Sequence, residues 1–247
     1  MNKNSIYDNF NKDLLASHSC SKESFHNKFH LHNSYEIYFF IRGDVNYFVD
    51  KSCYRLKKGN MLIFNNQELH KAVILSDEPY ERITIHFKPQ LIQPICTDKS
   101  NLLSIFENRK IGENNIALLD TSQSAYYMTT AMQLIQKLNK DDFGSDVLPL
   151  TYLIQILVLI HEIYSNKIQN MDSIISPKIL STLQYIDLHL TDNLSLDRIS
   201  EALSIDKYHL SHMFKEKTGS TLYQYILLKR IALAKELLLK GKSVTET

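Results

Sequence analysis

The chain has 247 residues, of which 44% are hydrophobic and 22% charged, and its formal net charge is +1, which is ordinary for a soluble protein of two domains. Three widely spaced cysteines exclude a disulfide framework and favour a reducing compartment. The first residues lack the apolar core of a signal peptide, and the most apolar run, residues 148–160, is shorter than the about 20 residues that span a bilayer, so we expect a cytoplasmic protein without a membrane partner.

Residues 1–24 are polar and irregular, and we expect an N-terminal arm that is either an edge segment or disordered. Residues 25–119 are the predicted sensor domain, and over residues 25–87 β-branched and aromatic residues form short runs bounded by turn residues such as Gly43-Asp44. The runs predict strands at residues 36–41, 45–49, 52–56, 60–64, 70–75 and 81–87. Many short strands at near-regular spacing indicate a β-barrel or sandwich.

Two groups of polar residues within this β-rich region carry a recognisable spacing. His30, His32 and Glu36 precede Gly43, and a second group begins at Gly59 and ends at His70. The spacing resembles the two cupin motifs, and the resemblance aligns His30, His32, Glu36 and His70 with the four ligands of metal-binding cupins. Imidazoles two residues apart share a strand face, and a carboxylate nearby could complete a site for a divalent ion.

The second motif departs from the cupin pattern. Asn65 stands where that pattern has Pro, Gln67 where it has Gly, and Ile74 where it has Asn. Three interpretations of the group therefore stay open: a metal enzyme, a metal-free pocket that binds a small effector, and histidines with a structural role alone.

A pocket of this kind needs an apolar wall and a few convergent polar groups. Aromatic residues on the neighbouring predicted strands, Tyr47, Phe48 and Phe64, could form the wall. The candidate effector contacts are His30, His32, Glu36, Tyr38, His70, Arg82 and His86.

Residues 88–119 predict a connection with one short helix near residues 102–108, and residues 120–165 predict a pair of helices. The first helix is capped by Thr121 or Ser122. Its apolar stripe is Ala125, Met128, Met132, Ile135 and Leu138. The second helix runs from about residue 147 through 163, with a stripe of Leu153, Ile156, Leu157, Ile160 and Tyr164. The pair either forms the core of its domain or also carries a homodimer interface.

Residues 166–176 are polar and predict a linker, after which residues 177–247 predict an all-helical domain. Ser176 can cap a helix that has Pro177 in its first turn. Ser195 can cap a short helix over residues 196–203, and Asp206 a second helix that ends at Gly219.

Two short helices joined by a tight turn are typical of a helix-turn-helix, although they could also belong to a plain helical bundle. The outer face of the second helix is polar, with Tyr208, Ser211, His212 and Lys215. Residues 207–242 contain eight Lys or Arg and two acidic residues, which favours a DNA backbone as the partner.

From residue 179 onwards, the chain resembles the DNA-binding domain of AraC/XylS transcription regulators. The segments that carry the resemblance are Ile199-Ser-Glu-Ala-Leu, Tyr208-His-Leu-Ser-His-Met-Phe-Lys, Thr218-Gly-Ser-Thr-Leu-Tyr-Gln-Tyr-Ile and Lys229-Arg-Ile-Ala-Leu-Ala-Lys-Glu-Leu-Leu. The family has two helix-turn-helix units joined by a long helix, here residues 222–239. We expect a second unit to begin at the capping-box pattern Ser243-Val-Thr-Glu and this chain to be a truncated form.

The resemblance implies an α+β protein. It consists of a cupin-like β-barrel with a helical pair, followed by an all-α helix-turn-helix domain. It also implies a metal-free sensor, a homodimer formed by the helical pair, no cofactor, and promoter DNA, a small effector such as a sugar, and RNA polymerase as partners. Tyr208, Ser211 and His212 match positions that approach base edges, whereas Lys207, Lys215 and Arg230 match phosphate contacts.

Two rival functions are kept. A metal-dependent cupin enzyme, catalysing oxidation or isomerisation with His30, His32, Glu36 and His70 as ligands, explains the first motif but not the last seventy or so residues. The second rival is an interaction module. If one helix-turn-helix unit is missing, we expect such a protein to dimerise and to bind DNA weakly.

Overall fold

The computed structural model describes residues 7–21, 28–166 and 174–246, which contain ten strands and eight α-helices. The strands are β1 (Tyr7–Asp8), β2 (Leu14–Ser21), β3 (Leu31–His32), β4 (Tyr35–Arg42), β5 (Val45–Val49), β6 (Ser52–Arg55), β7 (Asn60–Phe64), β8 (His70–Ile74), β9 (Tyr80–Phe87) and β10 (Ile116–Leu118). The helices are α1 (Pro89–Ile92), α2 (Ser104–Glu107), α3 (Thr121–Leu138), α4 (Leu148–Asn166), α5 (Pro177–Leu188), α6 (Leu196–Leu203), α7 (Lys207–Thr218) and α8 (Leu222–Leu239). Short 3₁₀ turns lie at Gln93–Ile95 and Val244–Glu246.

The β-domain has two antiparallel sheets, one of five strands in the order β10-β7-β4-β9-β2 and one of three in the order β6-β5-β8, and the short strands β1 and β3 form a separate parallel pair. Alternation along the central strand β4 divides its side chains between two cores. Tyr38 and Phe40 point between the sheets, whereas Ile37 and Phe39 pack under the helical pair. The α+β fold class inferred from sequence is therefore confirmed.

All six predicted strands are present, with ends that shift by at most one residue. Four further strands, the short β1 and β3 together with β2 and β10, were not predicted. Strand β2 lies in the segment expected to be an irregular arm and pairs with the whole of β9. Its residues are only half-buried or exposed, so its sequence lacks a marked apolar alternation, and pairing with β9 decides its conformation. Residues 7–8 of the predicted arm form β1, and residues 1–6 and 22–24 lie outside the described residues.

The helical pair is present, but two details of α3 differ from the sequence expectation. Its N-cap is Asp120, whose side chain accepts from Gln123 N in a capping box, and not Thr121 or Ser122. The buried line of α3 is Tyr127, Thr130, Ala131 and Leu134. The predicted stripe was therefore only partly right: Met128 and Met132 are 36% and 43% exposed, whereas Ile135 and Leu138 are half-buried against the core. Tyr127 and Ala131 give α3 a second apolar line, and packing on the sheet selected it.

Helix α4 buries the stripe that was predicted for it, with Leu153, Ile156, Leu157 and Ile160 fully enclosed. Its window Leu148–Ser165 has a mean hydropathy of 1.4, and length and composition alone would let it cross a membrane. The buried face packs on α3 and the five-stranded sheet, as a core helix does.

Helices α5 to α8 begin as the sequence predicted, and α6, α7 and α8 also end where it predicted. Ser176, Ser195 and Asp206 each accept backbone N–H groups at the start of a helix, and Gly219 ends α7 in the left-handed conformation with φ of +64°. Beyond α8, the predicted capping-box segment forms a 3₁₀ turn over its last three residues.

The β-domain and the helical C-terminal domain share one hydrophobic core. The first contributes Phe29, Leu31, Phe48, Cys53 and Leu69, and the second contributes Ile179, Leu183, Ile186, Ile199, Leu210, Phe214, Leu222, Tyr225, Ile226 and Leu228. Phe29 meets Tyr225 edge-on, with ring centroids 5.2 Å apart. Most of the predicted linker, residues 167–173, lies outside the described residues, and Ile174 at its end donates from N–H to Cys53 O.

Candidate functional site

Five polar side chains from both sheets and the segment before them converge at one end of the barrel. They are His30, His32 on β3, Glu36 on β4, His70 on β8 and His86 on β9, and together they are called the His–Glu cluster. Glu36 lies directly opposite His86 in the β4–β9 register, so both point to the same face. His30 and His70 exchange backbone hydrogen bonds of 3.2 and 3.3 Å, which brings the three-stranded sheet to the same place.

Glu36 is the centre of the cluster. Its Oε2 lies 2.9 Å from His32 Nε2, 3.2 Å from His70 Nε2 and 3.9 Å from His86 Nδ1. Glu36, His32 and His70 are 3%, 1% and 0% exposed. Ligand-capable atoms of His32, Glu36 and His86 all lie within 4.8 Å of one another.

Burial and neighbouring charges act in opposite directions on the pKa values of the cluster. Burial by itself favours the neutral form of Glu36, but the nearby histidines, His86 first, hold the pKa of this carboxyl well below its usual range. Burial also lowers the pKa of His32. At His70 burial acts in the same direction, yet the contact with Glu36 outweighs it and the pKa of His70 is raised.

Aromatic rings close the cluster from two sides. Phe10, from the segment between β1 and β2, is 7% exposed and lies 4.7 Å from the His86 ring. Phe64 stacks on His70 at 4.4 Å, and Tyr47 stacks on Phe64 at 5.4 Å. The space beside the polar groups is therefore filled by side chains.

The remaining candidate effector contacts lie farther along the barrel. Tyr38 is buried, and its hydroxyl lies 2.6 Å from that of Tyr80. The Arg82 guanidinium lies 4.2 Å from the centre of the Tyr80 ring and donates to Ser21 Oγ. Arg82 thus occupies the opposite end of β9 from His86. Phe48 was expected in the pocket wall, but it faces the core shared with the helical domain.

The candidate DNA-reading surface is the outer face of α7. Tyr208 is 75% exposed, His212 and Lys215 are exposed, and Ser211 is half-buried. Leu210 and Phe214 are buried on the inner face. The helix-turn-helix therefore presents the four polar residues that the sequence pattern assigned to the outside, as a base-reading helix does.

Two candidate phosphate contacts are engaged within the protein. Lys207 Nζ lies 3.0 Å from Asp197 Oδ1. Arg230 donates from Nε to Leu190 O at 3.0 Å and from a terminal nitrogen to Asp192 O at 2.7 Å. Arg230 thus ties α8 to the loop between α5 and α6.

Three lysines join the two domains through contacts that the sequence analysis missed. Lys71 Nζ donates to Thr218 O, at the end of α7, over 2.8 Å. Lys229 Nζ on α8 lies 2.6 Å from Asp50 Oδ1 and 3.1 Å from Asp187 Oδ1. Lys235 Nζ donates to Asn66 O at 3.3 Å. Part of the positive charge that suggested DNA therefore faces the β-domain.

No local pattern announced these contacts. Lys71 and Asp50 are 3% and 1% exposed. In the sequence, each is a charged residue next to an apolar strand segment, a position that is typical of a surface charge. Phe10 was likewise one apolar residue in a polar segment. In each case the partner lies far away in the sequence.

Comparison with known proteins places the chain in a family. The family model described as "AraC-like ligand binding domain" matches residues 11–157. The chain is 40% identical over 63 residues to the multiple antibiotic resistance protein MarA of Salmonella typhimurium and of Escherichia coli. That match covers 26% of this chain and 47% of MarA, so the chain spans about half the length of these curated relatives.

Solved structures of two regulators are also similar. ToxT from Vibrio cholerae aligns with a TM-score of 0.40 and 15% identity, covering 94% of this chain and 86% of ToxT. The AraC-like transcriptional activator CuxR aligns with a TM-score of 0.38 and 14% identity, covering 90% of this chain and 77% of CuxR. The family model alone spans more than half of the chain, and by that match the protein belongs to the AraC family, whose ligand-binding domain it carries at residues 11–157.

Proposed function

We propose that this protein is a DNA-binding transcription regulator whose β-domain binds a small ligand and changes how α7 is presented to promoter DNA. One observation carries the proposal: three consecutive residues connect the His–Glu cluster to the helical domain. Leu69 N donates to Asp50, the ion-pair partner of Lys229. His70 belongs to the cluster, and Lys71 binds the end of α7.

Control then needs a ligand whose affinity differs between two arrangements of the domains. A shift of β8 by a fraction of an ångström at His70 acts on the contacts of Lys71 and Asp50, because all three are fixed by the same short segment. The three lysine contacts that join the domains are the bonds that such a shift loosens or strengthens.

On DNA, we assign base contacts to Tyr208, Ser211 and His212. Lys215 is best suited to a phosphate, since it is exposed on the outer face of α7. Lys207 and Arg230 reach phosphates after exchanging their internal partners. A homodimer formed through the helical pair, a cytoplasmic location and contact with RNA polymerase complete the proposal and derive from family membership.

The ligand is proposed as a small metabolite, with sugars as the first class to test. His30, His32, Glu36, Tyr38, His70, Arg82 and His86 remain its candidate contacts. Because Phe64, Tyr47 and Phe10 fill the space beside the cluster, a sugar binds there only if these rings move apart. A thermal-shift screen of sugars checks this expectation directly.

A metal-dependent cupin enzyme is the second candidate, favoured by the buried imidazoles around Glu36. A substrate for such an enzyme has to reach the cluster past Phe10 and Phe64. Family membership and the joined helix-turn-helix favour the regulator.

DNA binding is the test of the main proposal. Fragments bound by the purified protein are selected from genomic DNA, and the affinity for one of them is measured across a salt series. Lys215→Ala is expected to weaken binding and to reduce the slope of log K against log salt by about 1. Lys99→Ala, at an exposed position of the β-domain, is the control and leaves the slope unchanged.

Tyr208→Ala and His212→Ala separate base contacts from charge. Each is expected to reduce discrimination between the selected site and an unrelated duplex by about 1–3 kcal/mol while the salt slope stays the same. Equal slopes for Lys215→Ala and the wild type, or absence of salt-dependent binding by the wild type, contradict the proposal.

A further inference from the structure

The hydrogen-bonding pattern of two buried histidines shows which of their ring nitrogens carries a proton. His32 Nδ1 lies 2.8 Å from Ser34 O, and His70 Nδ1 lies 2.8 Å from Glu68 O. A carbonyl oxygen can only accept, so each Nδ1 is the donor. Both neutral imidazoles therefore keep their lone pair on Nε2.

These two lone pairs face the same carboxylate oxygen. His32 Nε2 and His70 Nε2 lie 2.9 and 3.2 Å from Glu36 Oε2, which is also an acceptor. Among the described residues, the buried Nε2 of His70 has no hydrogen-bond partner. Acceptors held this close need positive charge between them, either an extra proton on each imidazole or a cation. Two imidazolium ions in a fully buried site carry a large desolvation cost.

A cation fits two of the three distances from Glu36 Oε2 to the histidines. Nitrogen and oxygen ligands about 2.0–2.2 Å from a transition-metal ion lie roughly 2.9–3.5 Å from one another. The separations of Glu36 Oε2 from His32 and His70 fall in this range, and the 3.9 Å to His86 Nδ1 lies just outside it. A carbonyl that accepts from the remote ring nitrogen, as at His32 and His70, is the usual support for a metal-bound imidazole.

We propose that His32, Glu36, His70 and His86 bind one divalent transition-metal ion, and that this ion is the ligand, or part of the ligand, to which the proposed regulator responds. The metal site itself does not depend on the proposed function, whereas the role of the ion as the regulator's ligand rests on it. Three imidazoles and one carboxylate select Zn²⁺, Fe²⁺, Co²⁺ or Mn²⁺ over Ca²⁺ and Mg²⁺, which prefer oxygen ligands.

The set differs from the one that the cupin spacing suggests. His86 takes part in place of His30, whose ring packs edge-on against His70 at 4.3 Å and whose Nδ1 lies 3.4 Å from Lys28 O. His86 is directly opposite Glu36 on β9, a pairing that sequence spacing could not supply. Because His70 precedes Lys71, occupation of the site pulls on the strand that holds the end of α7.

Metal binding is measured on the full 247-residue chain. Metal-free protein is titrated with Zn²⁺ and with Co²⁺, the bound metal is counted after dialysis, and the visible absorption of the Co²⁺ form reports nitrogen ligation. The expected result is about one equivalent per chain, with metal affinity reduced at least tenfold in His86→Gln and His70→Gln. His18→Gln, which changes a histidine paired with Glu81 on the same domain, keeps wild-type affinity.

Variants may be compared only when they fold, so circular dichroism and thermal unfolding accompany each titration. If His70→Gln does not fold, the site is tested by the Co²⁺ spectrum of the wild type and by the metal affinity of His86→Gln, since His86 is partly exposed. A chain that binds no metal, or that binds it equally well as His86→Gln, overturns the site.

A second measurement, the affinity for the selected DNA fragment with and without metal, tests the ion as the input. A change of at least fivefold supports it, and it is lost in His86→Gln. Equal DNA affinity with and without metal overturns the role of the ion as the regulator's ligand. If DNA affinity changes with pH but not with metal, the positive charge beside Glu36 comes from protonated histidines. Failure to bind any DNA overturns the proposed function, whereas the metal count still decides the site.

Discussion

At the scale of single residues, the ion pair between Lys229 and Asp50 is the most strongly buried charge contact between the domains. The side chains are 11% and 1% exposed, and Asp187 makes a second contact with the same Nζ. Burial raises the pKa of Asp50 to about 6 despite the neighbouring lysine, while the two carboxylates raise the pKa of Lys229 against the effect of its burial. The lysine therefore stays charged when Asp50 titrates.

Replacing Lys229 by Met leaves a buried carboxylate without its cation. The free energy of unfolding is expected to fall by about 3 kcal/mol at pH 8. Lys229 partly offsets the rise that burial causes in the pKa of Asp50, so its removal raises that pKa above about 6. Asp50 of the variant then binds its proton at a higher pH than in the wild type, and the loss shrinks as the pH falls toward about 6. Denaturant unfolding at pH 8 and at pH 5 measures both values.

Lys240→Met is the matched control, because Lys240 forms an exposed pair with Glu236 one turn away on the same helix. Its cost is expected to be about 0.5 kcal/mol or less, without dependence on pH in this range. Equal losses in the two variants would contradict an interdomain role for Lys229.

At the scale of elements, the end of α7 is where the reading helix meets the β-domain. Gly219 has φ of +64°, and a Cβ built on it would overlap Lys71 Nζ. Gly219→Ala is therefore expected to lower the free energy of unfolding by about 1–2 kcal/mol, because alanine disfavours the left-handed backbone. It also displaces Lys71 from Thr218 O.

Gly241→Ala provides the comparison, since Gly241 has φ of +84° and open space around its Cβ position. It carries backbone strain alone. Thermal unfolding of both variants is expected to show a larger loss for Gly219→Ala. A smaller or equal loss means that the Lys71 contact does not stabilise the domain arrangement.

The helical pair offers a second prediction at this scale. The exposed line of α3 contains Met128 and Met132, one turn apart, at 36% and 43% exposure. If this line forms the homodimer interface that family membership suggests, Met132→Glu places a charge in it and is expected to weaken the dimer at least tenfold. Light scattering across a concentration series measures the change.

Gln93→Glu adds the same charge at an exposed position outside the helical pair and serves as the control. It is expected to leave the molecular mass in solution unchanged. A wild-type chain that is monomeric at all concentrations, or a Met132→Glu variant that dimerises as the wild type does, rules out this interface.

For the whole molecule, Lys71 is the contact that we propose to connect the His–Glu cluster with α7. Burial, with a further effect of Lys28, lowers the pKa of Lys71 to about 8 from 10.5. The unfolded chain binds more protons between these two values, so the Lys71 contribution makes the free energy of unfolding rise with pH from about 8 to about 10.5. That rise is expected to be smaller in Lys71→Met.

The same variant tests coupling. Lys71→Met keeps the cluster but removes the hydrogen bond to Thr218 O, so we expect unchanged ligand affinity in the β-domain and loss of the ligand's effect on DNA affinity. Lys58→Met, at an exposed position between β6 and β7, is the control. A ligand effect that survives in Lys71→Met would show that coupling runs through Lys229, Lys235 or the shared core.

The sequence by itself determined the elements whose signals are local. Ser176, Ser195, Asp206 and Gly219 are caps that act on their own helices, and the alternating runs of β4 to β9 need only their own neighbours to be recognised. The exposed face of α7 followed from them, and the resemblance of residues 179 onwards to AraC/XylS regulators supplied the family and, with the strand pattern, the fold class. His32, Glu36 and His70 were likewise found by spacing along the chain.

Only the tertiary structure decided the features that depend on distant partners. Strand β2 exists because β9 pairs with it, and α3 buries Tyr127 in place of Met128 because the sheet lies on that side. His86 joined the cluster through register, and Lys71 and Lys229 became interdomain contacts although their local sequence marks them as surface charges. In each case the stabilising contact joins residues far apart in the chain. Periodicity and capping patterns describe only neighbouring residues, so they cannot predict such a contact.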